Sequence, residues 1–265
     1  MAWTRPGRGG HAQSIGEQAA VRGVGLPEAV ARFRQEYRDR EIPAGYDGRL
    51  HLAFTFGVGG VALVLCLVQL QSVLALEWLA VPLTWLYANL AEYLGHRFPM
   101  HRPFRGLGLV YRRHAGQHHR FFNHQAMPLD DLRDLRAVLF PPLLVIFFFG
   151  LFALPVWVVL SLLLSDNVAW LFVATGLAYF LNYEILHLAY HLPPEHWLAR
   201  RWLVRKLGWL HRTHHDPRRM AHNNFNITYP VCDVLFSTLR QESEARPADQ
   251  TNADANDSAR DNPLA

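Results

Sequence analysis

AVLFPPLLVIFFFGLFALPVWVVLSLLLS, residues 137–165, decides the class of fold. It carries no Asp, Glu, Lys or Arg, and about 20 apolar residues are enough to cross a bilayer. As one straight helix the run reaches about 43 Å, against a hydrocarbon core of about 30 Å. Pro141, Pro142 and Pro155 can break it into a long kinked helix or a short hairpin. A second charge-free run extends from Leu52 to Leu76. The mean hydropathy of 0.00 hides both runs, and a soluble globule is excluded. With only two cysteines, Cys66 and Cys232, a disulfide scaffold is excluded too. The first 50 residues are polar and show no apolar stretch of the kind a secretory signal needs.

The sequence therefore predicts an all-α integral membrane protein with about four transmembrane helices and a cytoplasmic, His-rich helical cap. The spans expected are Leu52–Leu70, Val73–Leu94, Ala137–Leu164 and Asn167–His187. Residues 1–50 form a polar segment with a short amphipathic helix from Pro27 to Arg40. That helix either packs on its own domain or lies on anionic lipid. Residues 51–240 form the membrane domain, and 241–265, without aromatics, read as a disordered tail. All 26 basic residues lie in 1–51, 97–136 and 192–265. Four crossings place those three segments, both termini included, on one side, which the positive-inside rule makes cytoplasmic. The basic balance of +4 is thereby explained by sidedness, and no nucleic acid is expected as a partner.

Ten of the 15 histidines fall into four groups: His96 and His101; His114, His118 and His119; His187 and His191; His211, His214 and His215. Spacings of three and four put imidazoles on one helix face a turn apart, and a doubled His adds a second direction. Neutral imidazole ligates iron, zinc and copper. One such pair is uninformative, but four groups that topology brings to one membrane face point to a metal centre. Glu92 and Glu184 precede His96 and His187 by about a turn, and Asp216 adjoins His215. Each can orient an imidazole by accepting its far N–H. His222 and Asn226 are further candidates for supporting or capping roles. His11, His51, His124 and His196 stand outside the pattern.

The segments EYLGHRFPMH (92–101), RHAGQHH (113–119), EILHLAYH (184–191) and LHRTHH (210–215), followed by NFNITYPVCDVLFST (224–238), resemble the fatty acid hydroxylase superfamily over roughly residues 80–240. That membrane group also includes sterol desaturases, sterol C4-methyl oxidases and carotene hydroxylases. The resemblance implies a non-haem di-iron oxygenase of monooxygenase type. Its ten grouped histidines would hold two Fe ions, with zinc as a substitute. It would hydroxylate or desaturate a lipid in the bilayer with O2 as co-substrate. It also implies an external electron donor, a ferredoxin or a cytochrome/reductase pair, since the first 50 residues hold no haem motif. The expected location is the bacterial cell membrane, or the endoplasmic reticulum in a eukaryote. One departure is the stretch RFFNHQAM, residues 120–127, inserted after the second group. Two rivals are a membrane zinc hydrolase, which lacks HExxH here, and a His-rich metal transporter, which would carry polar groups within its spans.

Overall fold

The computed structural model describes residues 27–241. The readings made for residues 1–26 and for the tail beyond Gln241 lie outside the described residues. Within them the chain is helical, with no named strand. We label the helices α1 (Glu28–Arg40), α2 (Gly48–Leu67), α3 (77–100, with Ala80–Gly95 its α-helical part), α4 (108–121), α5 (Leu135–Val138), α6 (142–163), α7 (Asp166–Tyr190), α8 (Trp202–His214) and α9 (Val231–Leu235).

Three helical stretches are long and apolar enough to cross a membrane: Gly48–Leu67, Leu132–Leu163 and Asp166–Tyr190. Their large apolar side chains stand bare of protein, Leu143 and Leu163 at 75% exposure and Leu162 at 79%. Such surface needs lipid around it. In the second stretch the backbone is extended at Leu139 and Pro141, and Pro142 then opens α6 as its first residue, where a missing N–H costs nothing. The run anticipated at 137–165 is thus a kinked helical segment rather than a hairpin, long and apolar enough to cross a membrane. The second expected span, Val73–Leu94, is not among the three. Its helix starts at Glu77 and reaches Met100, about 36 Å at the standard rise, but it turns Thr84, Asn89 and Tyr93 into the protein interior.

The two short connections lie together. Asn167 accepts from Gln71 N at 3.0 Å and donates to Gln71 O at 2.8 Å and to the Glu77 carboxylate at 3.0 Å. Ser165, which caps α7, also donates to Glu77. The C-terminal ends of α2 and α6 therefore meet the starts of α3 and α7. All four helices then run to an opposite end, where α3 and α7 deliver their histidines. α7 is the central helix, packed on α2, α3, α6 and α8. Gly59 permits the α2–α7 approach, since a Cβ there would lie 2.7 Å from Leu181.

Helix α1 belongs to this same body. Arg34 is 1% exposed and reaches into the stretch after the second His group. Its Nε donates to Phe121 O at 2.9 Å, its Nη2 to Ala126 O at 2.7 Å and its Nη1 to Asp130 at 2.7 Å. Arg38 pairs with Asp134 at 2.8 Å. Of the two readings of this helix, packing on its own domain is the one observed.

Candidate metal centre

Each His group sits where a helix ends or changes pitch. His96 begins a π-helical turn, His96–Met100, and His101 closes it. His114 and His118 lie in the π-helical Arg112–His118, with His119 following. A π turn shifts side chains around the axis, which suits functional positions. His187 and His191 end α7, and His211, His214 and His215 end α8.

These four ends converge into two clusters. His96, His101, His114, His119 and His214 bring one ring nitrogen each within 4.8 Å of the others. His118, His187, His191 and His211 form the second set by the same measure. His215 joins the second through His118 at 3.2 Å and His211 at 3.0 Å. Within the first, His96 to His114 is 2.8 Å and His101 to His214 is 3.0 Å. The clusters abut through the His119 and His215 rings, stacked with centroids 4.2 Å apart. All ten predicted ligands are therefore brought together. His51 and His196 stay outside, the former held by Tyr46 and Phe140 O.

Backbone carbonyls fix the ring orientations. The Nδ1 of His96 meets Phe225 O, that of His118 meets Ala137 O, and that of His191 meets Met127 O. The Nδ1 of His214 meets Asn223 O and that of His215 meets Phe122 O. A carbonyl only accepts, so each of these five Nδ1 atoms carries the hydrogen. In a neutral ring the facing Nε2 is then a bare lone pair. Burial keeps the rings neutral, pushing His118 and His214 down to about 4 and His101 to about 2. His118 and His215 consequently aim two lone pairs at each other across 3.2 Å, an arrangement that repels unless a cation lies among them. Ligands at 2.0–2.1 Å from one ion and at right angles are about 3 Å apart. The observed spacing fits that set, and imidazole suits iron or zinc.

The acidic and amide candidates act through the backbone. Glu92 does not touch His96. Its carboxylate accepts from the N–H groups of Ile227 and Thr228 and from Thr228 Oγ1, and Tyr179 donates to it. It thereby pins the loop whose Phe225 carbonyl holds His96. Asn226 donates to Asn89 O at 3.0 Å and accepts from Asp233 N. Glu184 accepts from Phe140 N at 3.2 Å rather than from His187. Asp216 does not orient His215. It accepts from Arg218 N in the turn after α8 and pairs with Arg218 and Arg219, because a carboxylate two residues after the helix finds the turn's donors first. His222 is exposed and takes no part in the ring network, whereas its neighbour Asn223 holds His214 through a carbonyl.

Sequence reasoning did not single out Asp233, Asn89 or Tyr179. Asp233 is fully buried and accepts from Phe225 N, Asn226 N and Thr238 Oγ1, so it fixes the same loop from the other side. Its signal lies in Asp233-Val234-Leu235-Phe236, within the closing stretch 224–238. The stretch 120–127 supplies the Phe122 and Met127 carbonyls to two ligands and the Phe121 and Ala126 carbonyls to Arg34.

The fatty acid hydroxylase family model matches residues 81–238, which span all ten histidines and both anchoring loops. The chain belongs to the fatty acid hydroxylase family. Comparison with individually characterised proteins and with solved structures finds no match. Family membership makes the chain an oxidoreductase by kinship, and the two clusters are compatible with the metal dependence of that family.

Proposed function

We propose that this fatty acid hydroxylase family member is a membrane-bound, non-haem di-iron oxygenase that hydroxylates or desaturates a lipid, using O2 and electrons from a separate donor. The reading rests on one observation above the rest: in two adjoining clusters, imidazoles largely fixed by backbone carbonyls face one another through ring nitrogens about 3 Å apart. Two iron ions held there would supply the strong oxidant that an unactivated C–H bond requires and that side chains lack.

The chain's own residues supply position. The buried clusters exclude bulk water from the reacting carbon. The Phe225, Ala137, Met127, Asn223 and Phe122 carbonyls hold the imidazoles against rotation. A small pocket bounded by His114, His118 and His187 admits a reacting group to both clusters at once. The site lies at the end of α3 and α7 away from the short connections, where the basic segments gather; by the positive-inside rule we take that end as cytoplasmic.

Purified protein reconstituted with iron, a reductant and lipid extract tests the reading with labelled dioxygen. A product that gains one oxygen from O2, or loses two hydrogens as O2 is consumed, supports it. Oxygen incorporated from water overturns it in favour of metal-assisted hydration or hydrolysis. Zinc in an isolated sample does not decide the matter, since zinc outcompetes ferrous iron for imidazole.

A further inference from the structure

The pocket that reaches both clusters has a volume of about 50 Å³, room for a carboxylate-sized group but not for a ring system. Its wall includes one cation, Arg113. Met100, Phe140 and Tyr183 border this pocket and also border a second cavity of about 260 Å³ lying between α3, α6 and α7. That cavity shares Ala88, Gly95 and Gly176 with a third of about 430 Å³ reaching Thr84 and Phe172. A Cβ built on Gly95 or Gly176 would meet nothing within 4 Å, so small residues keep the slot open. The path is thus narrow and polar at the metal-facing end, then long and mostly apolar between the helices, with Glu92 and His96 in the wall of the second cavity.

Arg113 makes one side-chain hydrogen bond, from Nη2 to Arg136 O at 2.9 Å. Arg136 itself donates to Glu41 O. Among the described residues neither guanidinium has a carboxylate within ion-pair distance. Arg136 repels the Arg113 charge, and the Glu41 carboxylate attracts it from beyond ion-pair distance. A half-buried cation with no carboxylate at ion-pair distance, beside a second cation, is completed by an anion that reaches its guanidinium. Guanidinium offers the planar fork that grips carboxylate or phosphate oxygens.

We propose that Arg113 anchors the anionic oxygen head, carboxylate or phosphate, of a single-chain lipid whose tail passes Met100, Phe140 and Tyr183 into the slot between α3, α6 and α7. The carbons beside the head, rather than the terminal methyl, then lie against His114, His118 and His187. This deepens the oxygenase reading and rests on it for the role of the metal centre.

The test needs no turnover. Full-length, zinc-loaded protein in neutral phosphatidylcholine nanodiscs is titrated with palmitate, hexadecyl phosphate and methyl palmitate, with bound ligand counted by native mass spectrometry. Wild type should bind at least one of the anions tenfold or more tighter than the ester, and whichever binds tighter names the head. Arg113→Gln should abolish that preference while binding the ester as before, which shows the fold intact. Arg113→Lys should keep part of it. Gly176→Phe should weaken all three ligands. No anion preference in wild type, an undiminished preference in Arg113→Gln, or unaltered binding in Gly176→Phe each overturns the proposal. Failure of the oxygenase reading would show instead as absent O2-dependent oxidation with this binding intact.

Discussion

At the scale of single residues, the site depends on groups that never touch a metal. Glu92 and Asp233 clamp the 225–228 loop from two sides, and that loop's Phe225 carbonyl orients His96 alone. Their effect should therefore be confined to one cluster. Glu92→Gln or Asp233→Asn is expected to lower metal affinity about 10–100-fold at the cluster that contains His96, as loss of a ligand's supporting partner does. Metal analysis across a chelator titration should show one metal leaving early and one retained. Simultaneous loss of both would mean that the loop holds the whole body rather than His96. His214→Ala and His118→Ala should each abolish turnover and lower metal content, while His222→Ala should do neither, since that ring is exposed.

At the scale of elements, two contacts set how helices meet. A Cβ on Gly48, the first residue of α2, would lie 2.1 Å from the Leu132 carbonyl oxygen, a backbone atom that cannot step aside. Gly60, in the same helix, has nothing within 4 Å of that position. Gly48→Ala should destabilise by about 3 kcal/mol, the upper range for overpacking. Gly60→Ala should be neutral or slightly stabilising through helix propensity. Thermal melts in detergent separate the two. Much of this level is legible in the chain: charge-free runs mark α2 and α6, and the i, i+3 and i+4 spacings mark the histidines that converge. What sequence could not show is equally particular. Five ligands are fixed by carbonyls, which every residue type carries, so Phe122, Met127 and Ala137 bear no signal of that duty. Glu92, a turn from His96, suggested a direct bond, yet the carboxylate satisfies itself on backbone N–H groups of a loop 135 residues further on. The helix expected at Val73–Leu94 is less apolar than the other three because Thr84, Asn89 and Glu92 serve the interior face of α3.

At the scale of the whole molecule, the two ends of the helical body differ in kind. One end is the polar tie of Gln71, Glu77, Ser165 and Asn167, which involves no basic residue. The other gathers α1, the metal centre and α8, whose outer face shows Arg205, Lys206 and Arg212. Arginine and lysine resist translocation, so this distribution should set orientation. Both native cysteines are buried and give little background to labelling. Glu36→Cys on α1 and Arg205→Cys on α8 are both expected to react with an impermeant maleimide only when the cytoplasmic face is opened. Ser72→Cys, in the connection between α2 and α3, is expected to react from outside in intact cells. Glu36 and Arg205 labelling from opposite sides would require an odd number of crossings between them, and that cannot coexist with α1 packed through Arg34 against the loop that holds His215 and His191. Because the packing makes the two positions one face, the experiment tests the fold and the sidedness together: agreement between Glu36 and Arg205 follows from the structure, and their shared reaction from the cytoplasm follows from the charge.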